Sequence, residues 1–360
     1  MTELLNHTVS EQQAAEAEYM PDVSIKEVAR IANVSIATVS RCINNPEKVT
    51  EKTRIKVQDA IRQTGYSPNR LAQSFRRGRT NIVMVVLPSV GDPFFTAVMK
   101  GIKSAATTKG YSVLIEETQL NTMTADEIGA MLVSNQTDGI ILLASMSPFG
   151  TEILSAKSKR RLPIVIGCET ISPELADFPS VHIDNIAAAK EATNYLISLG
   201  HKRIAMIYGQ ESSLLTKDRE LGYRAAMKQA KLPIDPGWVV EGDLTITGAR
   251  KATRNLMSHN NRPTAIFCAN DEMAIGCLHE VKSSGLRVPG DISIIGFDDI
   301  RYAEVTDPPL TTISQPAEEI GERVMYRLCR RIDAGHGTTS SPEIVPHKLV
   351  IRQSVAKPAD

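Results

Sequence analysis

Between residues 24 and 64, apolar positions recur every three or four residues in three short stretches. This spacing predicts three amphipathic helices, each of which buries one face. The apolar faces consist of Val28, Ala29 and Ala32, then Val39, Cys42 and Ile43, and then Val57, Ala60 and Ile61.

Polar residues suited to helix ends lie between these stretches. Ser24 and Glu27 have the spacing of a capping box, and Ser35 can cap the second helix. Asn33 can adopt a left-handed turn between the first two helices. Two short helices joined by a tight turn and braced by a third predict a helix-turn-helix, with a generic three-helix bundle as the alternative.

From Ile82 onward, β-branched runs alternate with amphipathic helical segments. Such alternation predicts parallel sheets in doubly wound α/β domains. The runs are too numerous for one modest sheet, so we expect two similar lobes with a ligand cleft between them. The strand-like runs include Ile82–Leu87, Ser112–Glu116, Gly139–Leu143, Pro163–Ile166, Arg203–Ile207, Thr264–Cys268 and Ile292–Ile295, and the helical segments include Phe95–Lys109, Ala187–Leu199, Arg219–Ala230 and Asp271–Ser284.

The formal net charge of +0 conceals an uneven distribution of charge. Residues 22–79 contain twelve Lys or Arg and five Asp or Glu, a net charge of +7. A small basic module joined to a weakly acidic body is typical of a protein that binds a polyanion through one part. A solvated basic helix face is the alternative interpretation.

Length and composition narrow the class of protein. A chain of 360 residues predicts two or three folding units. The first twenty-one residues contain four Glu and no Lys or Arg, unlike a signal peptide, so we expect a disordered tail and a cytoplasmic protein. No apolar run approaches the roughly 20 residues of a membrane span. The five scattered cysteines lack CxxC spacing and indicate buried free thiols.

Several short motifs follow one another in a definite order. Those in the basic module are Ser24–Ala29, Val34–Arg41, Lys52–Arg54 and Gly65–Arg70, and those in the body are Asp92–Phe95, Gly200–Ile204, Ala269–Asp271, Gly296–Asp299 and Pro308–Ile313. From about residue 24 to the C-terminus, this order resembles the LacI/GalR family of bacterial repressors.

The resemblance implies an α/β protein in which an all-α helix-turn-helix head precedes a two-lobed, doubly wound sensor like the periplasmic binding proteins. The expected divisions are a disordered tail at 1–21, a DNA-binding domain at 22–67, a hinge helix or linker at 68–79, and an effector-binding and dimerisation domain at 80–360. The implied protein is a homodimeric repressor that binds operator DNA, responds to a small-molecule effector and needs no cofactor.

The sequence motifs identify the family more specifically than they identify the effector. Pro173–Leu175, Val181–Asn185, Asn194–Leu196 and Asp307–Pro309 resemble the members that respond to cytidine. A ribonucleoside is therefore the expected effector, and a pentose or hexose is the alternative.

The resemblance also indicates which residues of the head would contact DNA. Ile36, Ala37 and Arg41 stand where the heads of the family read the major groove. Arg41 can bond a guanine in two places, which is worth about 1–3 kcal/mol of discrimination, whereas Ile36 and Ala37 offer only apolar contact. The other residues expected to contact DNA are Ser35, Thr38, Asn44, Thr53 and Tyr66, with Asn69 and Phe75 in or beside the hinge.

Six residues of the sensor would contact the effector if the resemblance holds. Arg219, Asn270 and Asp298 would bond its polar groups, and Phe94 and Phe95 would form an apolar wall. Leu244 stands where relatives often have an aromatic residue. The alternatives are a surface charge for Arg219, a turn residue for Asp298 and plain core for the two phenylalanines.

Two other classes of protein share parts of this pattern. A ligand-binding transport component would have a similar sensor, but it would need export and would lack a DNA-binding head. An α/β enzyme needs a catalytic or phosphate-binding constellation, and no GxGxxG, Walker, HExxH or GxSxG element occurs in the sequence. We therefore expect no catalytic residue, no metal site and no contact with a membrane.

Phe75 provides a test of the expected hinge, because the family commonly has Leu there. If two Phe75 rings, one from each protomer, wedge a central base step, Phe75→Ala should lower both operator affinity and DNA bending. Non-specific binding, which depends on arginines and phosphates, should hardly change. Anisotropy titrations and a bending assay with permuted operator fragments measure these effects. Equal affinity and bending would support the alternative, a flexible basic linker.

Overall fold

The computed structural model describes residues 24–66, 79–118, 123–134, 136–144, 162–168, 175–211, 213–334 and 341–359. The chain divides into two compact units, Met1–Arg77 and Gly78–Asp360. The expected tail at 1–21, the expected hinge as far as residue 78, and Asn69 and Phe75 lie outside the described residues. Within the described part, no helix is long and apolar enough to cross a bilayer.

The described part of the first unit consists of three helices around one small core. They are α1 (Ile25–Ala32), α2 (Ile36–Asn44) and α3 (Glu51–Thr64). The predicted apolar faces meet in the centre, which confirms the three amphipathic helices. The buried core residues are Val28, Ala29, Ala32, Val39, Cys42, Val57 and Ala60, with Ile43 and Ile61 partly buried beside them.

The junction of α1 and α2 has the predicted tight turn. Asn33 has a φ of 51° and a ψ of 51°, and the Ser35 hydroxyl accepts a hydrogen bond of 3.1 Å from the backbone N–H of Thr38. The predicted capping box is wrong, because the Ser24 side chain makes no capping hydrogen bond. Glu27 instead accepts a hydrogen bond of 3.0 Å from Nε of Arg30, one turn further along the helix, and this ion pair occupies its carboxylate.

The second unit contains two lobes with parallel sheets. The first lobe has strands β1 (Ile82–Leu87), β2 (Ser112–Glu117), β3 (Gly139–Leu142), β4 (Ile164–Gly167) and β5 (Ser180–His182), with helices α4 (Pro93–Thr108) and α5 (Ala125–Val133). The second has helices α6 (Asn185–Ser198), α7 (Leu214–Gln229), α8 (Ile246–Ser258) and α9 (Asp271–Ser283), with strands β6 (Ile204–Tyr208), β7 (Val239–Glu241), β8 (Ala265–Cys268), β9 (Ser293–Asp298) and β10 (Thr311–Ser314). The C-terminal elements are α10 (Ala317–Ala334), β11 (Glu343–Ile344) and β12 (Lys348–Val350).

The two sheets have the same strand order. It runs β2-β1-β3-β4-β5-β11 in the first lobe and β7-β6-β8-β9-β10-β12 in the second. Neighbouring strands are parallel except for β10 and β12, which are antiparallel. The central strands β1, β3 and β4 of the first sheet are apolar on both faces, and helices cover both sides, as parallel sheets require. The expectation of two similar doubly wound lobes is confirmed.

The described chain passes between the lobes at three crossovers. The first lies between β5 and α6, the second between β10 and α10, and the third between β11 and β12. Helix α10 packs against α4, β3, β4 and β5, and β11 pairs with β5, so both elements return to the first lobe. The first lobe is therefore completed by α10 and β11, which follow β10 in sequence, and the second lobe is completed by β12, which follows β11.

Helices α4 and α10 approach each other most closely at two facing glycines. A Cβ atom on Gly101 would lie 2.0 Å from the carbonyl oxygen of Glu318, and one on Gly321 would lie 2.1 Å from that of Val98. Because both contacts are with backbone atoms, no side-chain rotation can relieve them. Only glycine allows this close packing of the two helices.

We expect Gly101→Ala to lower the free energy of unfolding by about 1–3 kcal/mol, because it overpacks this contact. Alanine is otherwise the better helix former by up to about 1 kcal/mol, so a loss of stability isolates the clash. Urea denaturation measures the change. Ser104→Ala, at an exposed position of the same helix, is the matched control and should not destabilise the protein. Equal or higher stability for Gly101→Ala would contradict the close packing.

Candidate functional site

The N-terminal half of α2 presents an exposed face. Val39 and Cys42 point into the core, which leaves Ile36, Ala37 and Arg41 exposed on the opposite side. Ile36 is 45% exposed, which leaves its side chain available for apolar contact. The structure therefore brings these three sequence-predicted residues together on one helix face.

The other predicted DNA-contacting residues of the described head lie close to helix ends. The Ser35 and Thr38 hydroxyls are 2.9 Å apart at the start of α2, and those of Thr50 and Thr53 are 2.9 Å apart at the start of α3. Hydroxyls and unpaired N–H groups at a helix N-terminus suit a phosphate oxygen. In addition, Asn44 donates to the carbonyl of Ser40 over 2.8 Å, and Tyr66 packs against the core of the three helices.

In the second unit, Arg219 is the centre of a buried polar cluster. It lies on α7, is 3% exposed, and donates from Nε to Oδ1 of Asn185 over 3.1 Å. One of its terminal nitrogens lies 3.5 Å from Oδ1 of Asp298, and another donates to the carbonyl of Ala269. The guanidinium carbon lies 3.7 Å from the ring centroid of Phe297. The alternative of a surface charge is thus wrong for Arg219.

Asp298 ends β9 in an unusual backbone conformation. Its φ is 110° and that of Asp299 is 58°, a region that L side chains seldom adopt. Asp271 fixes this turn from below: its carboxylate accepts hydrogen bonds of 2.9 Å from the N–H of Ile300 and 2.6 Å from the hydroxyl of Thr312. Strained backbone that its surroundings hold in place is typical of ligand-binding sites.

Acidic groups outnumber the one arginine in this cluster of described residues. Burial, together with Asp92 and Glu272, raises the pKa of Asp298 to about 7, although Arg219 and a hydrogen bond from Gln315 act in the opposite direction. Burial is also the main cause of the raised pKa values of Asp92, Asp271 and Glu272. Because Asp92 belongs to the first lobe and Asp298 to the second, the two carboxyl groups influence each other across the lobes.

Asn270 and Leu244 form a second part of the cluster. Asn270 caps α9 by accepting a hydrogen bond of 2.9 Å from Met273, and it donates to the carbonyl of Leu244 over 3.1 Å. Leu244 has a φ of 65°, which is rare for a branched residue. A Cβ atom on Gly209 would lie 2.6 Å from both Leu244 and Thr216, so the glycine admits them side by side.

The two predicted phenylalanines lie at the start of α4 in an edge-to-face pair, with ring centroids 5.4 Å apart. Phe94 lines a cleft of about 970 Å³ together with Asp298, Gln315 and other residues of both lobes. Phe95 packs in the core and does not line this cleft. The structure therefore brings Phe94 and Asp298 to one cleft, with Arg219 directly behind Asp298.

Besides Glu272, four residues of the cluster were missed by the prediction of site residues. They are Asp92, Asn185, Asp271 and Gln315. Asp92, Asn185 and Asp271 lie inside motifs on which the resemblance to the family and its cytidine-responsive members rests, and Gln315 lies two positions after the motif Pro308–Ile313. A signal was thus present, since each is a polar residue next to a buried strand or at the start of a helix. Nothing in the local pattern indicates that these distant segments meet.

Besides the hydroxyl of Thr216, two polar atoms of the cluster have no hydrogen-bond partner among the described residues. They are Nδ2 of Asn185 and Oε1 of Gln315, and both are buried. A buried group without a partner costs about 1–3 kcal/mol, so such atoms are expected to be paired when the protein binds its ligand. In the described part of the chain, no group of three or more His, Cys, Asp or Glu residues is arranged to hold a metal ion.

Comparison with known proteins gives matches over nearly the whole chain. The model of bacterial regulatory proteins of the lacI family matches residues 24–69, and that of periplasmic binding proteins and sugar binding domain of LacI family matches residues 80–353. The HTH-type transcriptional repressor CytR of Escherichia coli (strain K12) is 39% identical over 331 residues, covering 92% of this chain and 96% of that protein.

Two further matches support this result. The ribose operon repressor of Escherichia coli (strain K12) is 36% identical over 313 residues, covering 86% of this chain and 93% of that protein. Among solved structures, the lac repressor dimer bound to operator and the anti-inducer ONPF matches with a TM-score of 0.81 at 26% identity. That match covers 93% of this chain and 99% of the lac repressor chain.

The raised pKa of Asp298 predicts a specific dependence of stability on pH. A carboxyl group whose pKa is about 7 in the folded state, against 3.8 ordinarily, binds more protons when folded between those values. The protonated Asp298 carboxyl group therefore contributes its full stabilisation of the folded state at low pH, and this contribution is lost as the pH rises through 7. Relative to Asp298→Asn, the free energy of unfolding of the wild type should fall by about 1.4 kcal/mol per pH unit between pH 5 and 7.

Urea denaturation at pH 5, 6, 7 and 8 measures this difference, which should level off above pH 7. Asp177→Asn, at an exposed position, is the control and should follow the wild-type curve. Parallel curves for the wild type and Asp298→Asn would exclude titration of Asp298 in this range.

Proposed function

This chain belongs to the LacI family of bacterial regulatory proteins and is a DNA-binding transcriptional repressor, and from this premise we propose that a small neutral effector controls its affinity for operator DNA. The first choice of effector is a ribonucleoside such as cytidine. The repressor would act in the cytoplasm as a homodimer, without a catalytic step or a cofactor.

The exposed face of α2 supports the assignment of DNA contacts. Arg41 would read a guanine in the major groove, and Ile36 and Ala37 would contact apolar base edges. Ser35, Thr38, Asn44, Thr53 and Tyr66 would contact the DNA backbone, which determines position but not sequence. Asn69 and Phe75 would follow in the hinge. The net charge of +7 over residues 22–79 favours binding of this part of the chain to DNA.

The observation that carries the effector proposal is the buried pair of Arg219 and Asp298 beside a cleft lined by both lobes. Arg219, Asp298 and Asn270 would bond hydroxyl or amide groups of the ligand, with Phe94 and Leu244 as apolar neighbours. Phe95 would support the ring of Phe94 from the core.

An anionic group beside Asp298 is disfavoured, because Arg219 already bonds Asn185, the carbonyl of Ala269 and Asp298. The basic residues that line the cleft, Lys100, Lys103 and Arg301, are exposed. A neutral nucleoside fits these conditions.

The alternative effector is a free pentose or hexose. The 36% identity to the ribose operon repressor favours a pentose as the runner-up, since ribose is also the sugar of cytidine. A transport component is disfavoured by the helix-turn-helix, which such a protein would not need. The homodimer is supported by the lac repressor, which matches this chain over 93% of its length and is a dimer on its operator.

A thermal-shift experiment on the full chain tests the proposed effector. Cytidine at about 100 times its Kd should stabilise the folded state by about 2.7 kcal/mol. Cytidine 5′-monophosphate should bind at least about tenfold more weakly, because its phosphate meets the acidic cluster. Ribose and glucose complete the panel. Arg41→Ala is a control that should lose specific operator binding but keep the thermal shift.

An operator titration with and without the bound ligand completes the test. The ligand should change operator affinity severalfold, since an effector acts only through different affinities for the two states of the protein. The proposal fails if no nucleoside, pentose or hexose shifts the melting temperature, or if a bound ligand leaves operator affinity unchanged.

A further inference from the structure

Two crossovers between the lobes each carry a buried carboxamide. Asn185 is the first residue of α6, directly after the first crossover, and Gln315 follows β10 in the second. They are 2% and 5% exposed. Each amide bonds one member of the central ion pair: Oδ1 of Asn185 accepts from Arg219 over 3.1 Å, and Nε2 of Gln315 donates to Asp298 over 2.7 Å.

These bonds fix the orientation of both amides. A flipped Asn185 would turn its NH₂ group toward the guanidinium, and a flipped Gln315 would turn its oxygen toward the Asp298 carboxyl group, so both flips are unfavourable. The remaining atoms are therefore a donor, Nδ2 of Asn185, and an acceptor, Oε1 of Gln315. Neither has a partner among the described residues.

We propose that Asn185 and Gln315 determine the specificity of the effector site, with Asn185 donating to an acceptor of the ligand and Gln315 accepting from one of its hydroxyl or amino groups. The inference rests on the proposed function of the cleft, which Gln315 lines together with Phe94 and Asp298. The ligand class is that of the proposed function, a neutral, hydroxyl-bearing compound, because the two amides offer it a donor and an acceptor.

The position of the two amides also links ligand binding to the crossovers. In the conformation of the structure both free atoms are buried, and each belongs to a residue beside a crossover between the lobes. Closing the lobes over a ligand pairs both atoms, whereas closing them over an empty site leaves both unpaired. The crossover amides thus favour the closed form only when a ligand with the matching pattern is bound.

Two substitutions remove the free atoms and keep the bonds to the ion pair. Asn185→Asp retains an oxygen for Arg219 but replaces the free donor with an acceptor. Gln315→Lys retains an N–H donor for Asp298 but removes the free acceptor. Because each change also places a charge beside the buried ion pair, a purely structural role predicts an equal loss of affinity for cytidine and for its deoxy analogues. The proposed role predicts at least a tenfold loss of affinity for cytidine in each variant.

Calorimetry on the full chain measures binding of cytidine and of 2′-, 3′- and 5′-deoxycytidine, with d-ribose as the pentose probe. At least one deoxy analogue should bind the wild type tenfold more weakly than cytidine, and this penalty should vanish in Asn185→Asp or Gln315→Lys. Asn255→Asp, at an exposed position on α8, is the matched control and should bind like the wild type. Melting temperatures establish that each variant is folded.

The outcomes separate the two levels of the proposal. Wild-type affinity in both variants, while the wild type binds cytidine or ribose, would overturn the role of the amides and leave the proposed function intact. If the wild type binds no member of the panel, the proposed effector class fails and this inference fails with it. If a variant does not fold, equal wild-type affinity for cytidine and all three deoxy analogues would still contradict the inference.

Discussion

The ion pair between Arg219 and Asp298 is almost completely buried, and several separate segments of the second unit supply the groups that stabilise it. An arginine beside a carboxyl group in such a place is stable only if its remaining hydrogen-bonding groups find partners. Asn185, the carbonyl of Ala269 and the ring of Phe297 provide them for Arg219. These groups come from a crossover, a strand end and a strand interior, so one requirement constrains three separate segments.

The same requirement explains the unusual backbone around Asp298. The turn at Asp298 and Asp299 has positive φ values that cost energy, and the buried Asp271 carboxylate compensates by bonding Ile300 and Thr312. Gly296 has no side chain because a Cβ atom there would lie 2.1 Å from Oδ1 of Asp271. The Asp271 carboxylate, which is fully buried and does not line the cleft, thus stabilises the strained turn.

The local sequence pattern predicts the helices and strands better than it predicts the residues of the buried polar cluster. The sequence predicts strand β1 at Ile82–Leu87, where the structure has it, because a continuous run of apolar, mainly β-branched residues is typical of a buried strand. Strands β11 and β12 have two and three residues and exist only through pairing with distant strands, so no periodicity could indicate them. Arg219 and Asp298 could be assigned from motifs, but their amide partners could not, since Asn185 meets Arg219 only through the fold. Ser24 and Glu27 have the spacing of a capping box, but the Glu27 carboxylate accepts hydrogen bonds from Arg30 instead.

The three crossovers have a consequence for the order of folding during synthesis. The first lobe leaves the ribosome first, but α10 and β11, which cover and extend its sheet, are made only after the second lobe has been synthesised as far as β10. Until then the apolar groove that α10 fills on the first lobe is open, and its sheet ends in an unpaired edge, a state that invites aggregation. The second lobe in turn waits for β12, the last strand of the chain. Neither half can therefore mature alone, and a chain that stalls before residue 317 carries two unfinished lobes.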